Sequence, residues 1–348
     1  MVMPEKIMPE KTVREPENLP AVSMPAEISL PAKAPVTLSD GLISDWINYI
    51  DCSAKTAQTY TGNVKQFLRF LASKGIQNVS EISREVVIDF RESLQSKKVS
   101  TQQAYMTAAR LFLQWMVDSH VLQNNPAAHV KAPKTDKGFK HDALSAGQCR
   151  DLISAADTST LQGLRDRAMI ATMLTTGLRT VSIANADTED LRIRRNWTTE
   201  QDELVLYYQG KRKNEKSEFV KISAPVAQMI SEYLDARNTG RSSAERNSGP
   251  LFQSCAHRNP GQRMTTNSIS RICKTRLRET GIDSDRITAH SLRHSTAIQA
   301  LLNGASLEQV QDLLGHSSID TTRIYSHALE RNNNNAEYQI SAVIFGNI

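Results

Sequence analysis

Between residues 42 and 116, apolar side chains recur at the helical period in four consecutive stretches, and this limits the possible folds more than any other feature. Leu42, Trp46, Ile47 and Ile50 share one face of a first helix. Tyr60, Val64, Phe67, Leu68 and Leu71 stand at i, i+4, i+7, i+8 and i+11 of a second. Ser83 can cap a third, which carries Val86, Val87, Phe90 and Leu94; Tyr105, Ala108, Ala109, Phe112 and Met116 line a fourth. Short helices with one apolar stripe hide it only by packing on each other, so residues 37–130 are expected to form a small all-α domain.

The flanks read differently. Residues 1–36 repeat Met-Pro-Glu-Lys at 3–6 and 8–11 and are broken by Pro16, Pro20, Pro25, Pro31 and Pro35. A stretch with no sustained period buries little, so disorder is expected there. After the helix-breaking Asn124-Asn125-Pro126, residues 131–143 form a Lys-rich linker with Lys131, Lys134, Lys137 and Lys140 at every third position. The linker is either a solvated tether or a strap that follows a phosphate chain.

Residues 144–331 predict a second domain of mixed character. Ser145 and Gln148 make a capping box. A helix through Leu161, Leu164, Ala168, Ile170, Met173 and Leu174 should stop at Gly177. Residues 204–209 and 219–222 are the only convincing strands, joined by the polar turn 210–216. Three helices follow: one from about His290 to Asn303, one opened by Ser306 and stopped by Gly315, and one capped by Ser318 that carries Tyr325. The fold class is therefore mainly α, an all-helical first domain followed by an α+β second domain with a small antiparallel sheet.

Bulk properties set outer limits. At 348 residues the chain has room for two domains. No apolar run approaches the ~20 residues needed to cross a bilayer, and the start does not resemble a secretory leader, so a cytoplasmic protein with no membrane partner is expected. Cys52, Cys149, Cys255 and Cys273 are scattered with no CxxC pair, which argues against a zinc site or a disulfide framework. A net charge of +5 is compatible with a polyanionic partner and does not by itself demand one.

The segment from His290 to His327 gathers four of the chain's eight histidines, which first suggests a metal. His290 and His294 stand at i, i+4, but Ser291 occupies the place a general-base glutamate would need, and no acidic third ligand is evident. Neither metal nor cofactor is expected. The same residues suit a phosphodiester better. Attack at phosphorus builds charge on two non-bridging oxygens, which two arginines can hold bidentately while imidazoles add hydrogen bonds. Arg179 and Arg293 would serve. A tyrosine phenol, with a pKa of ~10, becomes a usable nucleophile where cations stabilise the phenolate, and a lysine in the hairpin can protonate the leaving oxygen.

Each piece alone is weak; their order and spacing are not. Thr-Thr-Gly-Leu-Arg179, then Gly-Lys211, then His290-x-x-Arg293-His, then Leu-Gly-His316, then Tyr325 resemble the motif set of the tyrosine recombinase (phage integrase) family. The 23 positions from Arg293 to His316 and 9 from His316 to Tyr325 are similar to its simple two-domain, Xer-like or transposon-type members. The resemblance is strong over residues 144–328 and weaker over 38–133, where it implies the family's SAM-like core-binding domain. It implies that Tyr325 attacks the scissile phosphate to give a 3′-phosphotyrosyl link and a free 5′-hydroxyl. Arg179 and Arg293 would clamp the phosphate, His290 assist proton transfer, His316 hydrogen-bond the phosphate and Lys211 act as general acid. Lys213 and Lys216 share the turn, but only Lys211 follows Gly210 directly. The family's acidic residue three places after the first arginine is replaced by Ser182, which puts rate in doubt, not reaction class. His294, His327 and Arg323 are expected to be supporting residues.

The implied partners are double-stranded recombination sites, clamped by the two domains and exchanged within a homo-tetramer through a Holliday junction. Whether an accessory protein or a second recombinase takes part stays open. The tail 332–348, with its apolar Ile340–Phe345 stretch, either docks on a neighbouring protomer or packs on its own domain. The competing readings are a type IB-like topoisomerase and a non-catalytic DNA-binding accessory protein.

Overall fold

A computed structural model describes residues 37–38, 40–134, 142–210, 213, 215–240, 248–316, 318–319, 322–326 and 336–346. The Pro-containing segment 1–36, Lys137, Lys140, Lys211 and His327 lie outside the described residues. The chain divides into two units, 1–136 and 137–348.

The first unit consists of α1 (Asp40–Tyr49), α2 (Ala54–Ser73), α3 (Arg84–Ser93) and α4 (Val99–Asp118). The apolar stripes meet in one core, with Trp46, Phe67, Phe90 and Phe112 sealed from water. Trp46 meets Phe112 edge-on at 5.4 Å, and Phe67 lies 4.8 Å from Phe90. Burying an aromatic or leucine side chain of this kind stabilises the fold by about 1.5–3 kcal/mol. Ser83 caps α3 through the Val86 N–H. Residues past α4 stay fastened to this unit: Arg110 donates to the Val130 carbonyl and Gln103 to that of Pro133.

The second unit runs α5 (Ala146–Ser154), α6 (Leu161–Thr176), α7 (Thr180–Asn185), β1 (Leu191–Arg195), β2 (Asp202–Tyr208), β3 (Glu218–Lys221), α8 (Ala224–Asn238), α9 (Thr266–Glu279), α10 (Ala289–Leu302), α11 (Leu307–Leu314), α12 (residues 322–326) and α13 (Ala336–Phe345). Helix α6 runs through the core, with Met169, Ile170 and Met173 buried against Leu206, Ile230, Phe252, Leu277 and Leu292. The capping boxes at Ser145 and Ser306 form, and α6 and α11 end at left-handed Gly177 and Gly315.

The sheet is antiparallel in the order β1-β2-β3. Its edge strand β1 corrects the expectation of two strands. Leu-Arg-Ile-Arg-Arg carries three arginines, and Ile193 is 67% exposed, so the alternation that marks a half-buried strand is absent. Packing supplies it instead: Arg192 lies over the Tyr207 ring and Arg194 over Phe219, so aliphatic stems and guanidinium planes cover the aromatics.

The tail also departs from a self-packed element. Helix α13 leaves Ile340, Val343, Ile344 and Phe345 exposed, and none of its side chains is buried.

Candidate active site

The site is built around a buried cation. Thr288 caps α10, its hydroxyl accepting from the His290 N–H and its own N–H donating to Ser291, which fixes the first turn and directs Arg293 inward. Arg293 is 4% exposed. Its Nη1 donates to the Gly177 carbonyl at 2.6 Å and its Nη2 to the Leu314 carbonyl. Both acceptors lie where a helix ends, the partly negative pole of the backbone dipoles, so α6 and α11 offset the cost of desolvating the charge. Burial, followed by the like charge of Arg179, lowers the Arg293 pKa to about 10, with Tyr325 and Tyr208 opposing; it stays cationic at neutral pH.

The glycine stops make this seat possible. Gly177 has φ +64, and a Cβ there would fall 2.5 Å from Leu314 Cδ2, so the two helix ends approach only because the side chain is missing. Two residues on, Arg179 caps α7 half-buried, at the mouth of a cleft of about 440 Å³ shared with Tyr208, Gly210 and His316. The Ser182 N–H donates to the Arg179 carbonyl at 2.9 Å, and Ser182 lines a second cleft of about 300 Å³ with Arg179 and Lys216.

His316 follows Gly315, its Nδ1 3.0 Å from Thr322 Oγ1 on α12. That contact brings the imidazole nearly parallel to the Tyr325 ring, with centroids 6.5 Å apart. Tyr325 packs against Ala297, Val310 and Leu314 and is 3% exposed. Its hydroxyl lies 2.7 Å from His294 Nδ1, and the ring of His294 meets that of His290 edge-on at 4.6 Å. Burial raises the Tyr325 pKa, while Arg293 and Arg179 pull it down. His290 is exposed, and so is Arg323.

The structure thus brings Arg179, Arg293, His316 and Tyr325 together, with His290 one contact away through His294. Lys211 lies outside the described residues, but its neighbours in the turn are committed elsewhere. Lys213 pairs with Glu218. Lys216 reaches Asp187 at 2.7 Å and also Asp190 and the Asn185 carbonyl. Burial alone would lower the Lys216 pKa; the two carboxylates outweigh it and raise it.

Two site residues were assigned no such place by sequence reasoning. His294 was expected only to support, yet it touches the phenol hydroxyl. Tyr208 was not singled out: it shares the inward face of β2 with Leu206, is 8% exposed and lies close enough to Gly315 that a Cβ there would sit 3.4 Å from its hydroxyl. The period-2 alternation Leu204, Leu206, Tyr208 was the available signal. Among the described residues no cluster of three or more His, Cys, Asp or Glu side chains could hold a metal ion.

Two guanidinium groups, imidazoles and a buried phenol gathered in one part of the second unit are chemistry suited to phosphoryl transfer, because fixed positive charge can stabilise an attacked phosphate. The comparisons agree with that class. Residues 142–332 match the Phage integrase family and residues 42–123 the Phage integrase N-terminal SAM-like domain. The chain belongs to the phage integrase, or tyrosine recombinase, family. It is 31% identical over 281 residues to tyrosine recombinase XerC of Herpetosiphon aurantiacus, spanning 79% of this chain and 85% of that protein. It is 29% identical over 294 residues to tyrosine recombinase XerD of Listeria monocytogenes serotype 4b, spanning 82% and 93%. In fold it resembles the XerH site-specific recombinase bound to palindromic difH substrate, with TM-score 0.66 and 18% identity over 84% of each chain. It also resembles a lambda integrase dimer bound to a COC′ core site, with TM-score 0.62 and 16% identity over 84% of this chain and 77% of that one.

Proposed function

We propose that this recombinase cuts and rejoins specific duplex DNA sites through a 3′-phosphotyrosyl intermediate formed on Tyr325. The observation that carries the reading is the buried Tyr325 hydroxyl, hydrogen-bonded at 2.7 Å and subject to the positive charge of Arg293 and Arg179. Arg179 and Arg293 hold the non-bridging oxygens, and His316, fixed by Thr322, donates to one of them. His290, at the exposed start of α10, assists proton movement at the rim. Lys211 protonates the departing 5′ oxygen, an assignment supported by the carboxylate partners of Lys213 and Lys216. The covalent link retains the phosphodiester bond energy, so the 5′-hydroxyl of a second duplex reverses the step without ATP or a metal cofactor.

Strand exchange then proceeds twice through a Holliday junction within a tetramer on two DNA sites, with the helical domain of 37–130 and the catalytic domain of 144–331 gripping the duplex. The exposed apolar residues of α13 support docking of the tail on a neighbouring protomer. The products are integrated, excised or resolved DNA. No described helix is long and apolar enough to cross a membrane.

The test is covalent trapping. Purified protein is incubated with fragmented genomic DNA, adducts are isolated under denaturing conditions, and the attached DNA is sequenced. The expected result is enrichment of one sequence, 3′-linked to the protein, with Tyr325→Phe giving none. Adducts that persist with Tyr325→Phe would remove Tyr325 as nucleophile, and efficient relaxation of a plasmid lacking the enriched sequence would favour a topoisomerase.

A further inference from the structure

Which base takes the proton of the attacking phenol is answered by geometry that motif spacing does not reveal. The tyrosine hydroxyl has a nitrogen 2.7 Å away, and it is Nδ1 of His294. His294 lies on α10 directly after Arg293, one helical turn beyond His290, so the helix that seats the phosphate clamp also delivers the base. The tyrosine is 3% exposed and His294 is half-buried, with the two ring centroids 5.4 Å apart. Near neutral pH only a small fraction of such a phenol ionises unaided, so an acceptor within hydrogen-bond reach is the direct route for its proton.

We propose that His294 is the general base for the attack by Tyr325. Before cleavage the phenol donates to a neutral imidazole whose Nδ1 carries the lone pair. As the phenolic oxygen bonds to phosphorus, its O–H bond breaks and the proton moves to Nδ1. The bond from phosphorus to the 5′ oxygen breaks, and that oxygen takes a proton from Lys211. Ligation runs the same transfers backward: the 5′-hydroxyl attacks, Lys211 recovers its proton, and His294 returns one to the departing phenol. No net proton is consumed. His290, edge-on to His294 at 4.6 Å and exposed, gives the half-buried base a neighbour at the surface.

Among the described residues, the charged and titratable groups around the pair include Arg293 and His290 from α10, Arg179 after α6, Tyr208 from β2 and His316 after α11. The cations favour the phenolate and disfavour a protonated imidazole. They therefore assist transfer only when the proton leaves as attack proceeds, which a base in direct contact allows.

This proposal rests on Tyr325 being the nucleophile, and the experiment separates the two. Single-turnover cleavage is measured from pH 6 to 9 on a nicked duplex carrying the sequence recovered by adduct trapping, for the unaltered protein, His294→Phe, His294→Asn and Tyr325→Phe. His294→Phe keeps a ring in place and removes the acceptor, and His294→Asn carries the same prediction if the bulkier change fails to fold. The expected result is cleavage slowed about 100-fold at pH 7 with DNA affinity within twofold. The deficit should shrink about tenfold per pH unit toward pH 9 as the phenol ionises unaided. The proposal is overturned if the variants cleave at the unaltered rate, or are slowed by one constant factor at every pH, as a purely packing role requires. Cleavage by Tyr325→Phe would instead overturn the nucleophile assignment.

Discussion

The guanidinium of Arg293 lies 2.6 Å from the carbonyl oxygen of Gly177, 116 positions earlier in the chain. A residue of the C-terminal motif is thus oriented by the turn that precedes the first arginine, so one loop both presents Arg179 and seats Arg293. The stability of the turn and the proposed phosphate clamp are therefore coupled.

Gly177→Ala should therefore damage both. A left-handed backbone costs a non-glycine residue about 1–2 kcal/mol. The added Cβ also meets Leu314 Cδ2 at 2.5 Å and must push α11 away. We expect a loss of about 2–3 kcal/mol in urea unfolding, together with cleavage slowed at least tenfold at temperatures where the variant is folded. A normal cleavage rate would mean that the seat tolerates displacement.

Lys216 ties the β2–β3 turn to the end of α7, and Lys216→Met would leave Asp187 and Asp190 facing each other with one cation fewer. The cost should lie between that of an exposed pair and a buried one, about 1–3 kcal/mol. Burial alone would raise the Asp187 pKa, but Lys216 and Arg263 outweigh it and hold it below 3.8. A depressed carboxylate adds stability above its unfolded pKa, and that increment is lost as pH falls through the folded value. Wild-type stability should therefore decline below about pH 4, and the variant should show a shallower decline over the same window in acid titration by circular dichroism.

Deletion of 336–348 should leave thermal stability nearly unchanged, because no side chain of α13 is buried. If the tail docks between protomers, the truncated protein will bind one site normally yet fail to form the larger complex in a gel-shift titration. Normal assembly and cleavage would return the tail to a passive role.

Binding to the enriched duplex should weaken steeply with salt, since phosphate contacts release counterions. A flat salt response between 50 and 200 mM would leave little room for a duplex gripped along its backbone.

Much of this was legible in the sequence because helices announce themselves locally. The stripes on α2 to α4, the caps at Ser83, Ser145 and Ser306, and the stops at Gly177 and Gly315 each depend on a few neighbouring residues and form as read, whereas α1 ends at Tyr49, one residue before Ile50, and buries Ile43 beside Trp46. Strand β1 was not legible because its order comes from Arg192 and Arg194 lying over aromatics on β2 and β3, a cross-strand effect with no local signature. The role of His294 was hidden for a related reason. An i, i+4 pair places two imidazoles on one helix face, but which of them meets the phenol depends on where α12 lies, and that is set by the Gly315 turn and the contact between His316 and Thr322.

Helix α13 has a colloidal consequence. A chain whose last helix holds Val343 86% and Phe345 69% exposed carries adhesive surface whenever it is alone. Dispersed single copies then have a saturation level, above which they meet one another before they meet their target. The dose at which the protein is expressed becomes a physical variable of its own, and purification at high concentration should favour self-association that salt does not reverse.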